Sequence, residues 1–263
     1  MYHSPPVFLP EGKNSTAFYT SKEPSTLIVF VHGFTGVSVG TWNNFNSLIQ
    51  ADEDFAECDL LFYGYDSLNG QAFGQAQELL RVLKKYNKPS NELYARPKSS
   101  EYKKIILAAH SLGAIVSRQA LLEAIRSNQK WRNKVKLMLF APAHNGARIN
   151  NLFMDGAPGL LKIFGSIIKF RKPILENLEP LSDTIVKLKA DTAQYKDTPE
   201  EYTLTATVLE AFDDRVVYMG SFCYDEFADE SPVRDKKHTT VCKPDEEYLL
   251  PIELIKKQLH ERA

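Results

Sequence analysis

Cysteine is scarce in this chain: Cys58, Cys223 and Cys242 are the three among 263 residues, and none belongs to a CxxC pair. Thiols so few and so scattered exclude a disulfide framework and offer no structural zinc spacing, and an odd count suits a reducing compartment. An excess of charge is also missing. Lys plus Arg total 32 against 33 Asp plus Glu, a formal charge of −1, which removes any overall electrostatic ground for binding nucleic acid. No window approaches about 18 uninterrupted apolar residues, so no spanning helix is expected. Residues Met1 to Pro10 lack the basic run and apolar core of a secretory signal. The expected location is therefore the cytoplasm. No Gly-, Ser- or Pro-rich linker, long charge block or fixed-period repeat divides the chain, which points to a single domain over residues 1–263.

What is present is a repeated alternation. Thr26 to Val31 is a continuous apolar, β-branched run ending at His32-Gly33. Asp59 to Tyr63, Ile105 to Ala109 and Val135 to Phe140 carry the same signature, and Tyr202 to Leu209 reads as a fifth strand. Runs of this kind are strands buried on both faces, as in a parallel sheet. Between them, Gln71 to Tyr86 and Leu112 to Arg126 space their apolar residues as amphipathic helices, and Glu246 to Leu259 reads as a closing helix. The expected class is α/β: a mostly parallel central sheet with helices on both faces. Residues 146–199 break the pattern, with no convincing strand, and are expected to form a helical cap inserted into the domain.

The chemistry concentrates at the ends of these strands. Ala109-His110-Ser111-Leu112-Gly113 follows a buried strand and opens a helix. That context gives a GxSxG-like motif its meaning: a turn this sharp admits small residues two before and two after a serine whose hydroxyl stands clear of the sheet. The bland reading, a serine serving as helix N-cap, fits the pentapeptide but not its surroundings. Ser111 is thus the expected nucleophile. The Leu112 N–H, and that of Phe34 in His32-Gly33-Phe34-Thr35-Gly36 after the first strand, are the expected oxyanion donors.

Six histidines compete for the general base. His3 lies near a frayed end and His260 in the last turn of a surface helix, while His32 and His110 belong to the two motifs and suit buried, hydrogen-bonded roles. His238, in a polar loop before the closing helix, fits the chain order serine, acid, histidine; His144 is the alternative. The acid is expected at the end of the fifth strand, where Asp214 precedes Arg215-Val216-Val217 and Asp213 is its rival. Asp225, Glu226, Asp229 and Glu230 read as a solvated acidic loop, without the His or Cys companions a metal needs.

Val29-Phe30-Val31-His32-Gly33-Phe34 with Trp42, Ala109 to Gly113, Asp214 to Val217, Pro142-Ala143-His144-Asn145-Gly146, and His238 followed by Lys243-Pro244 match family patterns. On these the chain resembles the α/β-hydrolases over nearly its whole length. It is similar to the intracellular lipase-like branch that includes the GPI-inositol deacylase and serine-active-site-containing proteins. The departures are Ala109, where the usual residue is Gly, and the altered lipase-like turn at 141–146. Neither touches a catalytic group.

The expected function is hydrolysis of carboxylic, acyl or lipid-like esters through Ser111, His238 and Asp214, by way of an acyl-enzyme and with neither metal nor organic cofactor. Gly33, His110, Phe153, Leu161 and Phe164 are the expected substrate-binding residues, the last three from the cap. Lys162, Lys169, Phe170, Arg171 and Lys172 offer the cap peripheral contact with an anionic membrane, a solvated basic edge being the plainer reading. The expected partner is a small-molecule or lipid-like ester, with no nucleic acid, and the sequence leaves the oligomeric state open. The same triad would serve a thioesterase or amidase, and a silent binding or scaffold protein can keep the fold; both readings stay open.

Overall fold

The computed structural model describes residues 2–89, 101–147, 178–217, 222, 225–227 and 232–261. Four of the apolar runs become the centre of the sheet: β3 (Thr26–Val31), β4 (Cys58–Tyr63), β5 (Lys104–His110) and β6 (Val135–Phe140). Their side chains are buried on both faces, apart from a half-buried Lys136, which is why they read as unbroken apolar runs. The strand order is β1-β2-β4-β3-β5-β6-β7-β8, where β1 is Val7–Phe8, β2 Thr16–Phe18, β7 Ala206–Leu209 and β8 Glu226–Phe227. From β4 to β8 all neighbours are parallel, and β1 and β2 close one edge antiparallel.

Register places the site. Val31 pairs with both Tyr63 and Ala109, His110 with Phe140, and Phe140 with Leu209. The residues that follow each strand, His32, Gly64, Ser111, Ala141 and Glu210, therefore emerge along one edge of the sheet. Chain order reverses across β3, with β4 on one side and β5 on the other. The crevice outside the carboxyl ends of strands at such a switch point is where open α/β sheets bind ligands.

Helix α1 (Phe45–Ala51) follows the first strand end, and α2 (Ala72–Tyr86) turns Ala72, Ala76, Leu79, Leu80, Val82 and Leu83 inward. Helix α3 (Leu112–Arg126) is buried nearly all round, Arg118 and Gln119 included. Helices α4 (Asp183–Ala193), α5 (Glu201–Leu204) and α6 (Leu250–His260) complete the described set. Beneath the first strand end, Phe30 stacks on Phe62 at 4.5 Å between ring centroids and meets Trp42 edge-on at 5.1 Å. Trp42 also sits 5.9 Å from Phe140, all four rings being fully buried. Burying each such side chain contributes about 1.5–3 kcal/mol.

Two readings of the sequence need correction. The strand expected over Tyr202 to Leu209 is a helical turn, α5, followed by β7. Thr205 ends the helix with extended backbone (φ −66°, ψ 134°), its Oγ1 donating to the Glu201 carbonyl at 3.1 Å. Thr205 thus closes a helical turn with its side chain before the strand begins. Nor is the N-terminus frayed at His3: Tyr2 pairs with Thr20, and the His3 N–H donates to the Tyr19 carbonyl at 2.9 Å. The pairing of β1 with β2 has no local signature in two- and three-residue strands.

Of the expected cap, Gly146, Ala147 and residues 178–199 are described, the latter carrying α4. The Ala147 N–H donates to the Leu178 carbonyl at 2.8 Å, so these two positions are neighbours. Phe153, Leu161 and Phe164, like the basic positions 162 and 169–172, lie outside the described residues. Among the described residues no helix is long and apolar enough to cross a membrane. Cys58 and Cys242 are buried free thiols, and burial pushes Cys242 up to about 12, which makes it a packing group, not a nucleophile.

At the end of the sheet away from the site, buried Lys104 points its Nζ at the last turn of α6. It donates to the carbonyls of Gln258 (2.5 Å), Leu259 (2.8 Å) and Glu261 (2.6 Å). A cation at a helix C-terminus meets both the orphan carbonyls and the negative end of the dipole. Lys104→Met keeps the stem and removes the three bonds. It should lower stability by about 1–3 kcal/mol in urea unfolding, leaving the slope against denaturant unchanged.

Candidate active site

Ser111 sits between β5 and α3 with φ 53° and ψ −119°, and its side chain makes no capping bond to the helix. A non-glycine residue in that region costs about 1–3 kcal/mol and persists where its surroundings over-determine it. Here the Ser111 N–H donates to the Phe140 carbonyl at 3.0 Å. The Ser111 carbonyl accepts from Ala114 (3.0 Å) and Ala143 (3.3 Å). Close approach explains the glycines on either side. A β-carbon on Gly113 would stand 2.4 Å from the Val31 carbonyl oxygen and 2.5 Å from that of His32; one on Gly33 would stand 2.9 Å from Ser111 Cβ. The helix N-cap reading of Ser111 has no support in this geometry.

The Ser111 Oγ lies 2.9 Å from His238 Nε2, and His238 Nδ1 lies 2.9 Å from Asp214 Oδ2. The Asp214 carboxylate is fully buried, and its Oδ1 accepts the N–H groups of Val216 (2.8 Å) and Val217 (3.1 Å). Burial pushes this carboxyl up. The hydrogen bond and charge of His238, with the two backbone N–H groups, outweigh burial and hold it below its ordinary value. Asp213 is exposed. His144 lies elsewhere, against Arg118 and Asp225.

Phe34 follows Gly33, which packs beside Ser111, and Leu112 follows the serine directly. Leu112 opens α3, where the first N–H groups have no partner within the helix and the dipole is positive. The loop bearing Phe34 is held by His32. Its Nδ1–H donates to the Gly33 carbonyl at 2.8 Å, and its Nε2 accepts the Tyr65 N–H at 3.2 Å. The Tyr65 ring stacks on His32 at 4.4 Å, and the Tyr65 hydroxyl donates to the His32 carbonyl at 2.8 Å. Burial, partly offset by the bond to Gly33, pushes His32 down to about 4.

His110 and Gly33, expected to touch substrate, are otherwise engaged. The His110 ring is buried with Nε2 2.9 Å from the His238 carbonyl oxygen, and Gly33 packs its backbone against Ser111 Cβ. Burial first, then the neighbouring His238, pushes His110 down to about 3.

Sequence reasoning also missed a buried charged cluster. Arg118, two turns along α3 from Ser111, is fully buried and pairs with Asp225, whose side chain is 3% exposed. Arg118 also donates to the Leu204 carbonyl and to His144 Nε2, and its guanidinium lies 4.7 Å from the Phe222 ring centroid. Asp225 is therefore a buried ion-pair partner, correcting the solvated acidic loop read from sequence. In the sequence its acidic neighbours conceal it. Nearby Glu210 is pushed up to about 7, by burial and then by the charges of Asp214 and Asp225. Among the described residues no group of three His, Cys, Asp or Glu side chains could hold a metal ion.

Comparison with known proteins bears on the fold and the family. Residues 21–148, just under half the chain, match the family described as "Putative serine esterase (DUF676)". Among curated proteins none matches the sequence. Among solved structures, the chain is similar to the Bacillus licheniformis lipase BlEst2 in mature form, with TM-score 0.57, 16% identity, 91% of this chain and 92% of that one covered. It is similar to the 2-hydroxy-6-oxo-6-phenylhexa-2,4-dienoate hydrolase of Rhodococcus sp. strain RHA1, with TM-score 0.57, 13% identity and coverage of 98% and 100%. The naproxen esterase (carboxylesterase NP) of Bacillus subtilis gives TM-score 0.52, 13% identity and coverage of 98% and 92%. The fold is that of the α/β-hydrolases.

The buried titratable groups set a pH dependence of stability. His32, His110 and His144 are all held below their ordinary value, so acid protonates them first in the unfolded chain. Their contribution is present above about pH 6.5 and is lost as pH falls below it, for His32 towards 4 and for His110 towards 3. Glu210, raised to about 7, works the other way, losing stability as pH rises through 7. Three imidazoles outweigh one carboxyl. Urea midpoints should fall as the pH drops from about 6.5 to about 5; a flat profile would contradict these assignments.

Proposed function

We propose that the chain hydrolyses acyl or lipid-like carboxylic esters through a Ser111–His238–Asp214 triad. The observation that carries this reading is the unbroken line of two 2.9 Å hydrogen bonds from a positive-φ serine through His238 to a buried carboxylate. His238 Nε2 takes the Ser111 proton as Oγ attacks the ester carbonyl carbon. The tetrahedral oxyanion accepts the Phe34 and Leu112 N–H groups, each worth about 3–4 kcal/mol in the transition state. Collapse expels the alkoxide, which leaves as the alcohol with the proton from His238. A water then gives its proton to His238 and attacks the acyl-serine, releasing the carboxylic acid and restoring the serine.

Asp214 holds the imidazole in the tautomer with Nδ1 protonated and stabilises the imidazolium formed at each step. Its low pKa keeps it ionised at neutral pH, so it accepts from Nδ1–H throughout. We infer a cytoplasmic location from the sequence, whose three scattered cysteines suit a reducing compartment.

Wild type should react with a fluorophosphonate probe at Ser111 and turn over p-nitrophenyl acyl esters, and Ser111→Ala should do neither. No labelling, or equal labelling of both proteins, would overturn the nucleophile. Asp214→Asn should fold, keep KM within a few-fold and lower kcat about 10³–10⁴-fold. Asp213→Asn should stay near wild type. A matched panel of esters, thioesters and amides decides the bond cleaved; faster turnover of thioesters or amides than of esters would overturn the ester assignment while leaving the triad intact.

A further inference from the structure

His110 stands at the end of β5, immediately before Ser111 and opposite Phe140. The mechanism above leaves it without a task. Its ring nevertheless lies between two parts of the site that come from distant stretches of chain. On one side Nε2 is 2.9 Å from the carbonyl oxygen of His238, with the two imidazoles 5.0 Å apart between centroids and inclined at 46°. On the other side Nδ1 faces Gly33, where an added β-carbon would lie 3.0 Å away.

A ring nitrogen at that distance from a carbonyl oxygen must carry the proton, so Nε2–H donates and Nδ1 is bare. Nδ1 is buried and accepts no bond among the described residues. Leaving an acceptor unmatched is unfavourable, and the ring keeps this tautomer because the other would orphan the His238 carbonyl. Its depressed pKa, about 3, keeps it neutral while His238 gains and loses a proton.

The restraint acts on backbone, where Asp214 cannot. The His238 ring is oriented through Nδ1 by Asp214, but where the ring starts from depends on the loop carrying it. That loop closes on itself, Thr240 and Val241 N–H both donating to the Lys237 carbonyl at 3.0 Å. Its bond to the nucleophile strand is the one from His110 to the His238 carbonyl; a second anchor, the Tyr248 hydroxyl to the Val241 carbonyl at 3.0 Å, lies three residues on. A misplacement of about 1 Å between reacting groups can cost about 100-fold in rate.

We propose that His110 is the positioning residue of the general base: its Nε2–H, fixed to the serine's own strand, holds the His238 backbone at the height that brings Nε2 to Ser111 Oγ. This rests on the serine-hydrolase reading above, and the test separates the two.

His110→Leu removes the donor, His110→Gln places an amide N–H near the same carbonyl, and His110→Asn carries a donor too short to reach it. With the ester turned over fastest by wild type, His110→Leu and His110→Asn should lower kcat by about 10–100-fold, with KM within about two-fold. His110→Gln should recover most of the loss, and Tyr248→Phe should stay within about three-fold of wild type. The low-field proton resonance of His238 Nδ1–H should broaden or shift in the Leu and Asn variants and return in Gln. If His110→Leu fails to fold, the Asn and Gln pair carries the comparison. Equal loss in Asn and Gln, or a kcat near wild type in Asn, overturns the proposal. Should wild type neither label nor turn over esters, the serine-hydrolase reading falls. The resonance then decides the positioning claim by itself: loss in Asn with recovery in Gln upholds it, and no change in Asn overturns it.

Discussion

A serine forced into the left-handed region between a strand and a helix sets the terms for the rest of this molecule. At φ 53° Ser111 holds a conformation that an isolated chain would abandon, at a cost of about 1–3 kcal/mol. What keeps it there is packing from three strands. Its N–H is bound by the Phe140 carbonyl of β6, its own strand ends beside Val31 of β3, and Gly113 lets α3 descend onto the carbonyls of Val31 and His32. The strain has a geometric return. The side chain reaches His238 rather than capping its own helix.

The sheet supplies the remaining parts because its register is common to five strands. Each loop leaving the carboxyl edge contributes one element: the Gly33-Phe34 turn after β3, the elbow after β5, the Ala143 N–H after β6 and the Asp214 turn after β7. Polar groups then accumulate inside a wall that excludes water. His32, His110, His144 and Arg118 are each at most 6% exposed, yet each is engaged by neighbours that fix its proton or its charge. Such networks specify one arrangement at some expense in stability, since a group left without its partner in that environment is costly.

What could be read from the sequence follows from this division. The central strands and both long helices announce themselves through burial, because residues hidden on both faces must be apolar and those hidden on one face must recur at the helical period. Ser111, Asp214 and His238 were legible because their turns follow strands in a fixed order. Arg118 was not: an arginine on a helix reads as surface until the chain around residue 225 is seen to fold over it. Asp225 was hidden by its acidic neighbours, and α5 by a Thr- and Val-rich run in which Thr205 closes a helical turn. The role of His110 rests on a bond across 128 positions of sequence, which no local pattern records.

The account stands on the space between Ser111 Oγ and the Phe34 and Leu112 N–H groups, and a crystal structure of the chain reacted with a phosphonate ester probes that space directly. The account predicts phosphorus bonded to Ser111 Oγ, with the phosphonyl oxygen about 2.7–3.1 Å from both backbone nitrogens and His238 Nε2 turned to the leaving-group side. Phosphorus on another side chain, or an oxygen directed away from both N–H groups, would contradict it.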